Sequence, residues 1–169
     1  MRGRAFETLF SGAIMVVASS AFAAEVWVTN MKSANVEVID PETLEIVATI
    51  PADAGARNVT FSRDGKLAFV ANVGANNVTI ADAEAKTVLG TVAAGERAHE
   101  VSVSPDNALA ASSNVGTDFV TLIDVAKAEP LGEIKGRTLK ATRPGVLGSQ
   151  VLAEAETLGS RRLGRSCAQ

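Results

Sequence analysis

Between residues 25 and 136 hydrophobic and polar positions alternate with a period of two. Val59-Thr60-Phe61-Ser62 and Val101-Ser102-Val103-Ser104 show the pattern, each leading into a turn, Arg63-Asp64-Gly65 or Pro105-Asp106-Asn107. Short alternating runs bounded by such residues predict strands with one buried face, not helices. Asp suits the turns because its carboxylate bonds its own backbone, and Gly because it accepts positive φ. The same reading places strands at 26–29, 67–71 and 109–113, at 35–39, 77–81 and 119–123, and at 46–50, 88–92 and 131–134.

The strands fall into a repeat. Asn30, Asn72 and Asn114 are 42 residues apart, as are Asp40, Asp82 and Asp124, Val36, Val78 and Val120, and Ile50, Val92 and Ile134. Ser62, Asp64 and Leu67 recur at Ser104, Asp106 and Leu109 without a gap. A unit of this length with four short strands is the signature of a β-propeller blade. Blades are expected at about residues 25–56, 57–98 and 99–136, with the first entered at its second strand.

The ends of the chain differ from this middle. Arg2 and Arg4 precede an apolar run from Leu9 to Ala18, and Ala21-Phe22-Ala23 follows as an A-x-A cleavage site. That order is the pattern of a secretory signal peptide over residues 1–24. A membrane span needs about 18 or more apolar residues, and this run is too short. Cleavage would leave a mature chain starting near Glu25 with no integral membrane segment, in the periplasm or secreted from a bacterium.

Residues 137–169 leave the repeat. Arg143, Gly145, Val146 and Gly148 stand where the register calls for apolar, apolar, Ser and Asp. The charge inverts as well: residues 25–136 carry a net −8, and residues 137–169 a net +4. Three readings stay open for this tail: an extension docking on the acidic propeller, a basic arm for a membrane surface or acidic partner, or out-of-frame translation after Gly136. Residues 150–158 fit a short helix, with Val151, Leu152, Ala155 and Leu158 on one side.

Composition narrows the chemistry. The 169 residues carry a net charge of −3, which lacks the basic surplus of a nucleic-acid binder. One Cys (Cys167) excludes an internal disulfide, and with one His (His99) it cannot build a zinc site. A single His still suffices for haem ligation. No Gly-rich phosphate loop, G-x-S-x-G elbow or H-E-x-x-H occurs.

Val-Trp-Val-Thr-Asn at 26–30 and Val-Glu-Val-Ile-Asp at 36–40 resemble the YVTN-type β-propeller repeat, as do Val70-Ala71-Asn72 and Ser104-Pro105-Asp106. The departures are Trp27 at the Tyr position and Arg63 at the Pro position. The resemblance implies an all-β propeller of four-stranded antiparallel blades. Similar propellers include periplasmic proteins without assigned roles and subunits or partners of haem- and quinone-dependent oxidoreductases; related seven-bladed ones are lactonases. Fewer than three full blades are visible, whereas closed propellers have 4 to 8. An incomplete propeller exposes apolar sheet faces, so a protein partner or self-association through open edges is expected.

Within such a blade the innermost strand starts beside the central channel. Arg57 and Asn58, with His99 and Glu100 one repeat later, occupy that position and are the candidate ligand-binding residues. The loops at 30–34, 73–76 and 115–118 open on the same side. As a dyad His99 and Glu100 are weakened, because neighbours on a regular strand point to opposite faces. The Asp series is read as turn-forming and the Asn series as strand ends tolerating left-handed φ. One carboxylate per repeat does not build a calcium shell. The sequence thus predicts an exported binding or scaffold module without a cofactor. Its alternatives are a component of a haem- or quinone-dependent oxidoreductase and, more distantly, a lactonase-like hydrolase.

Overall fold

The computed structural model describes residues 24–135. Apart from Ala24, the expected signal peptide lies outside the described residues, and so does the basic tail. Eleven strands form three antiparallel sheets, and no helix occurs among the described residues. The first sheet holds β1 (Val26–Asn30), β2 (Asn35–Ile39) and β3 (Ile46–Pro51). The second holds β4 (Ala56–Phe61), β5 (Leu67–Asn72), β6 (Asn77–Asp82) and β7 (Thr87–Ala93). The third holds β8 (Ala98–Val103), β9 (Leu109–Asn114), β10 (Phe119–Asp124) and β11 (Glu129–Lys135). These are the antiparallel blades of the all-β propeller that the repeat predicts, with each of the three sheets among the described residues a blade.

The core lies between sheets. Val36, Val38 and Ile50 of the first blade meet Ala56, Ala68, Val70 and Ala81 of the second. Phe69, Val78, Ile80 and Val92 of the second meet Val101, Ala110 and Ile123 of the third. Alternate positions of one strand therefore serve two cores: Val70 packs toward the blade before it, and Phe69 toward the blade after it. Both are buried, and each such side chain stabilises by roughly 1.5 to 3 kcal/mol. The innermost strands β4 and β8 pack side by side, with β1 against β4.

Turns at one end of the blades repeat atom for atom. Ser62 Oγ donates to Asp64 Oδ1 at 2.7 Å, and the Leu67 amide donates back to Ser62 Oγ at 2.9 Å. One repeat on, Ser104 Oγ donates to Asp106 at 2.6 Å and accepts from Leu109 N at 2.9 Å. The left-handed position of each turn is Gly65 (φ 73°) or Asn107 (φ 60°), the two residue types that adopt it most readily. Asn107 Oδ1 also accepts the Arg63 amide at 2.8 Å, which ties the third blade to the second. The Asp series acts as expected: Asp40 accepts the amides of Glu42 and Thr43, Asp82 those of Glu84 and Ala85, and Asp124 that of Lys127.

Two expectations need correction. The inner strands begin at Ala56 and Ala98, three residues before the alternation becomes visible at Val59 and Val101. The cause is a bulge: Ala56 pairs with Asn72 but Asn58 with Ala71, and Ala98 pairs with Asn114 but Glu100 with Ser113. The extra residue, Arg57 or His99, breaks the period of two. The Asn series does not adopt left-handed φ either; in these loops that backbone falls at Ala34 and Asn76. Asn72 and Asn114 instead turn their amides inward, where Nδ2 donates to Thr79 and Thr121 at 2.8 and 2.9 Å.

Candidate functional site

At the other end of the blades the loop before each inner strand joins the loop between the second and third strands. Gly55 O accepts from Val73 N and Ala54 O from Gly74 N, both at 3.0 Å. The third blade repeats this, with Arg97 O accepting from Val115 N at 3.1 Å and Glu96 O from Gly116 N at 3.0 Å. Across the blade boundary Asn76 Oδ1 accepts the Arg97 amide at 2.8 Å. These bonds fix the backbone from which the four sequence-predicted residues project.

Arg57 and His99 are the unpaired residues of the two bulges, on adjacent inner strands and at the same step of the repeat. Arg57 is exposed, and Asn58, His99 and Glu100 are half-buried. A bulge re-aims side chains, so the alternation that argued against pairing His99 with Glu100 does not hold at this step. The Arg57 carbonyl accepts Thr29 Oγ1 at 2.7 Å, anchoring β4 to the first blade. Asn58 Oδ1 accepts Thr60 Oγ1 at 3.1 Å, and the Glu100 carbonyl accepts Ser113 Oγ at 3.3 Å.

Burial lowers the His99 pKa from its ordinary value of 6.5, and the charges of Arg57 and Arg97 lower it further, against an opposing pull from Glu100. At neutral pH the ring is therefore uncharged, with one nitrogen free to accept a hydrogen bond or ligate a metal. Ion pairs among the described residues are Lys86–Glu25 at 2.9 Å and Lys127–Asp124 at 3.3 Å, so neither Arg57 nor Arg97 has a carboxylate in pairing range there. No cluster of three or more His, Cys, Asp or Glu suited to a metal forms among the described residues.

Arg97 was not among the residues singled out from the sequence. It holds a left-handed backbone (φ 58°) where the preceding repeat has Gly55 (φ 77°). The signal was present in the 42-residue register as a Gly-to-Arg exchange beside His99. Two further exchanges occur at this end. Asp53 accepts Asn77 Nδ2 at 2.7 Å; one repeat later Gly95 and Phe119 stand in their places, and the Gly95 amide donates to Thr121 Oγ1 at 3.1 Å. Asn114 Oδ1 accepts Ser112 Oγ at 3.3 Å, whereas Asn72 Oδ1, with Val70 in the Ser position, is buried without a partner.

Residues 11–108 match the YNCE-like beta-propeller family. No curated protein matches the sequence. Among solved structures, hydrazine synthase from Kuenenia stuttgartiensis is similar with a TM-score of 0.62 at 18% identity, over 66% of this chain and 32% of that one. Dihydro-heme d1 dehydrogenase NirN, solved in complex with DHE, is similar with a TM-score of 0.59 at 23% identity, over 66% of this chain and 24% of that one. The chain thus spans a third or less of the length of either, and at these identities the likeness carries the fold alone.

Proposed function

The chain belongs to the YNCE-like β-propeller family, and from that premise we propose that it is an exported, non-catalytic binding module of the periplasm. Its ligand face is the end of the blades that carries Arg57, Asn58, His99 and Glu100. One observation carries this reading: two adjacent inner strands bulge at the same step, and each bulge presents a polar side chain, Arg57 or His99. Bulges of this kind re-aim side chains and are over-represented beside binding and active sites. The arginine has no carboxylate partner among the described residues. The signal-peptide pattern at residues 1–24 supports export, and open sheet edges support a protein partner or self-association.

A thermal-shift screen of the full chain against anionic, cationic and neutral small molecules tests the module. Ligands that stabilise the protein are expected to lose their effect in both Arg57→Ala and His99→Ala. Stabilisation that survives both substitutions places the binding face elsewhere. Mass spectrometry of the exported protein tests the leader, with an N-terminus near Glu25 expected.

A second reading, a propeller component of a haem- or quinone-dependent oxidoreductase, is favoured by the neutral, half-buried imidazole of His99. It draws on the name of one structural neighbour, a dihydro-heme d1 dehydrogenase. An imidazole nitrogen of His99 would hold haem, and haem would supply the electron-transfer chemistry. A Soret band in the purified protein, lost in His99→Ala, supports this reading; no Soret absorbance retained by the protein after haem addition and gel filtration refutes its haem form. A lactonase role is the more distant alternative, tested by lactone hydrolysis.

A further inference from the structure

Arg97 is the odd residue at this end of the molecule. Its position in the repeat belongs to glycine, because the loop needs a left-handed backbone there, and Gly55 fills it in the preceding blade. A side chain with a Cβ is disfavoured in that conformation. Yet the loop keeps its hydrogen bonds around Arg97: the amide donates to Asn76 Oδ1 at 2.8 Å and the carbonyl accepts from Val115 N at 3.1 Å. Arg97 stands two residues before His99, at the entry to β8, and β8 packs against β4, which carries Arg57.

No carboxylate stands within pairing range of Arg57 or Arg97 among the described residues. Asp53 is occupied by the Asn77 amide. The Glu96 side chain lies over Gly116, where an added Cβ would fall 2.7 Å from its Cγ. Glu100 follows His99 on β8, and Asp118 ends the loop whose Val115 amide bonds the Arg97 carbonyl; neither forms an ion pair with Arg57 or Arg97. We infer that Arg57, Arg97 and His99 form a binding site for an oxyanion, a carboxylate or phosphate group, at this end of the blades. Guanidinium forks match both groups with paired hydrogen bonds, and the imidazole adds a third donor.

The inference rests on the ligand face proposed above and adds its chemistry. Binding strengthens as pH falls through the His99 titration, because protonation adds a positive charge to the site. The charged groups bearing on that ring are Arg57 of β4, Arg97 before β8 and Glu100 of β8. The packed strands β5 and β9 carry no titratable side chain, and Asp82 of β6 is held in its own turn.

His99 is the only histidine of the chain, so its ring signals in an NMR spectrum of the full protein need no assignment. Inorganic phosphate and malonate are titrated separately against chloride at matched ionic strength. The expected result is a saturable shift of the His99 ring signals and a rise in its pKa with one or both oxyanions. The two arms show which source the site takes. Arg57→Gln and Arg97→Gly are each expected to weaken binding at least about tenfold, the scale of one charge-assisted hydrogen bond. Arg97→Gly relaxes the backbone, so its loss of binding cannot be attributed to misfolding. Shifts no larger than those of chloride, or unchanged in both variants, overturn the oxyanion site. If a neutral or cationic ligand from the screen still acts through Arg57 and His99, the binding face stands and its anionic chemistry alone has failed.

Discussion

The sharpest test of the fold near the candidate site is Gly55→Ala. Gly55 has φ 77°, and an added Cβ would stand 2.5 Å from Gly74 N, 3.2 Å from Gly74 Cα and 3.4 Å from Val73 N. All three neighbours are backbone, so no side-chain rotation relieves the contact. A left-handed alanine costs about 1 to 2 kcal/mol. Moving the loops apart weakens the bonds from Val73 N to Gly55 O and from Gly74 N to Ala54 O, each contributing about 0.5 to 1.5 kcal/mol net. Against this, alanine lowers the entropy of the unfolded chain, which returns about 0.4 to 1 kcal/mol. The expected net loss is about 1 to 4.5 kcal/mol.

Gly65→Ala is the control. Gly65 has a similar φ of 73°, but nothing lies within 4 Å of its added Cβ. Only the backbone and unfolded-chain terms apply, and the expected loss is about 0 to 1.5 kcal/mol, below that of Gly55→Ala by the contact and hydrogen-bond terms. Urea unfolding of the full chain, followed by circular dichroism with the m-value checked for constancy, measures both. Equal losses in the two variants would refute the reasoning, because they would show that the approach of Gly55 to Gly74 does not constrain the loop that leads into Arg57.

Three further outcomes follow from the same structure. Arg97→Gly, which restores the residue type of Gly55, is expected to leave stability unchanged or raise it by up to about 1 kcal/mol; a loss above that in urea unfolding would give the Arg97 side chain a structural role. Trp27 packs edge-on against Phe61 at 5.1 Å with Lys86 Nζ 5.7 Å from its ring centroid, so Trp27→Ala is expected to lose about 2 to 4 kcal/mol, less than for a fully buried ring. A double-mutant cycle with Phe61→Ala then reads a coupling of about 0.5 to 1.5 kcal/mol. Asp64 and Asp106 are held below the ordinary 3.8 chiefly by the Ser62 and Ser104 hydroxyls, and Asp124 chiefly by the Lys127 amide. Because the folded values lie below the unfolded ones, their stabilisation is present above the ordinary carboxylate range and is lost as pH falls through the folded values. The urea midpoint should therefore fall below about pH 5, and Asp106→Asn should flatten that slope.

What the sequence could reveal depended on whether a bond lies within one repeat or joins two. The Ser62–Asp64–Leu67 turn and its copy at Ser104–Asp106–Leu109 close within a few residues, so spacing alone located them. The bulges at Arg57 and His99 were hidden because an extra residue on one strand erases the alternation by which a strand is recognised. The Asn series was misread for a related reason. Asn72 and Asn114 end their strands as expected, but their amides reach the next strand at Thr79 and Thr121, a choice made by packing and not by turn chemistry. Bonds across a blade boundary, from the Arg63 amide to Asn107 or the Arg97 amide to Asn76, join residues with no shared local pattern. The candidate site is made of such features. At the turn end the hydrogen-bond scheme survives even where residues change, with Gly65 and Asn107 both left-handed. At the opposite end the partners themselves change: Asp53 and Asn77 give way to Gly95 and Phe119, Gly55 to Arg97, and Asn58 to Glu100. The backbone repeats at both ends, in the turns of the first and in the loop bonds and bulges of the second. At the second end the side chains change on that repeating backbone, and each blade carries a different set of polar and charged groups.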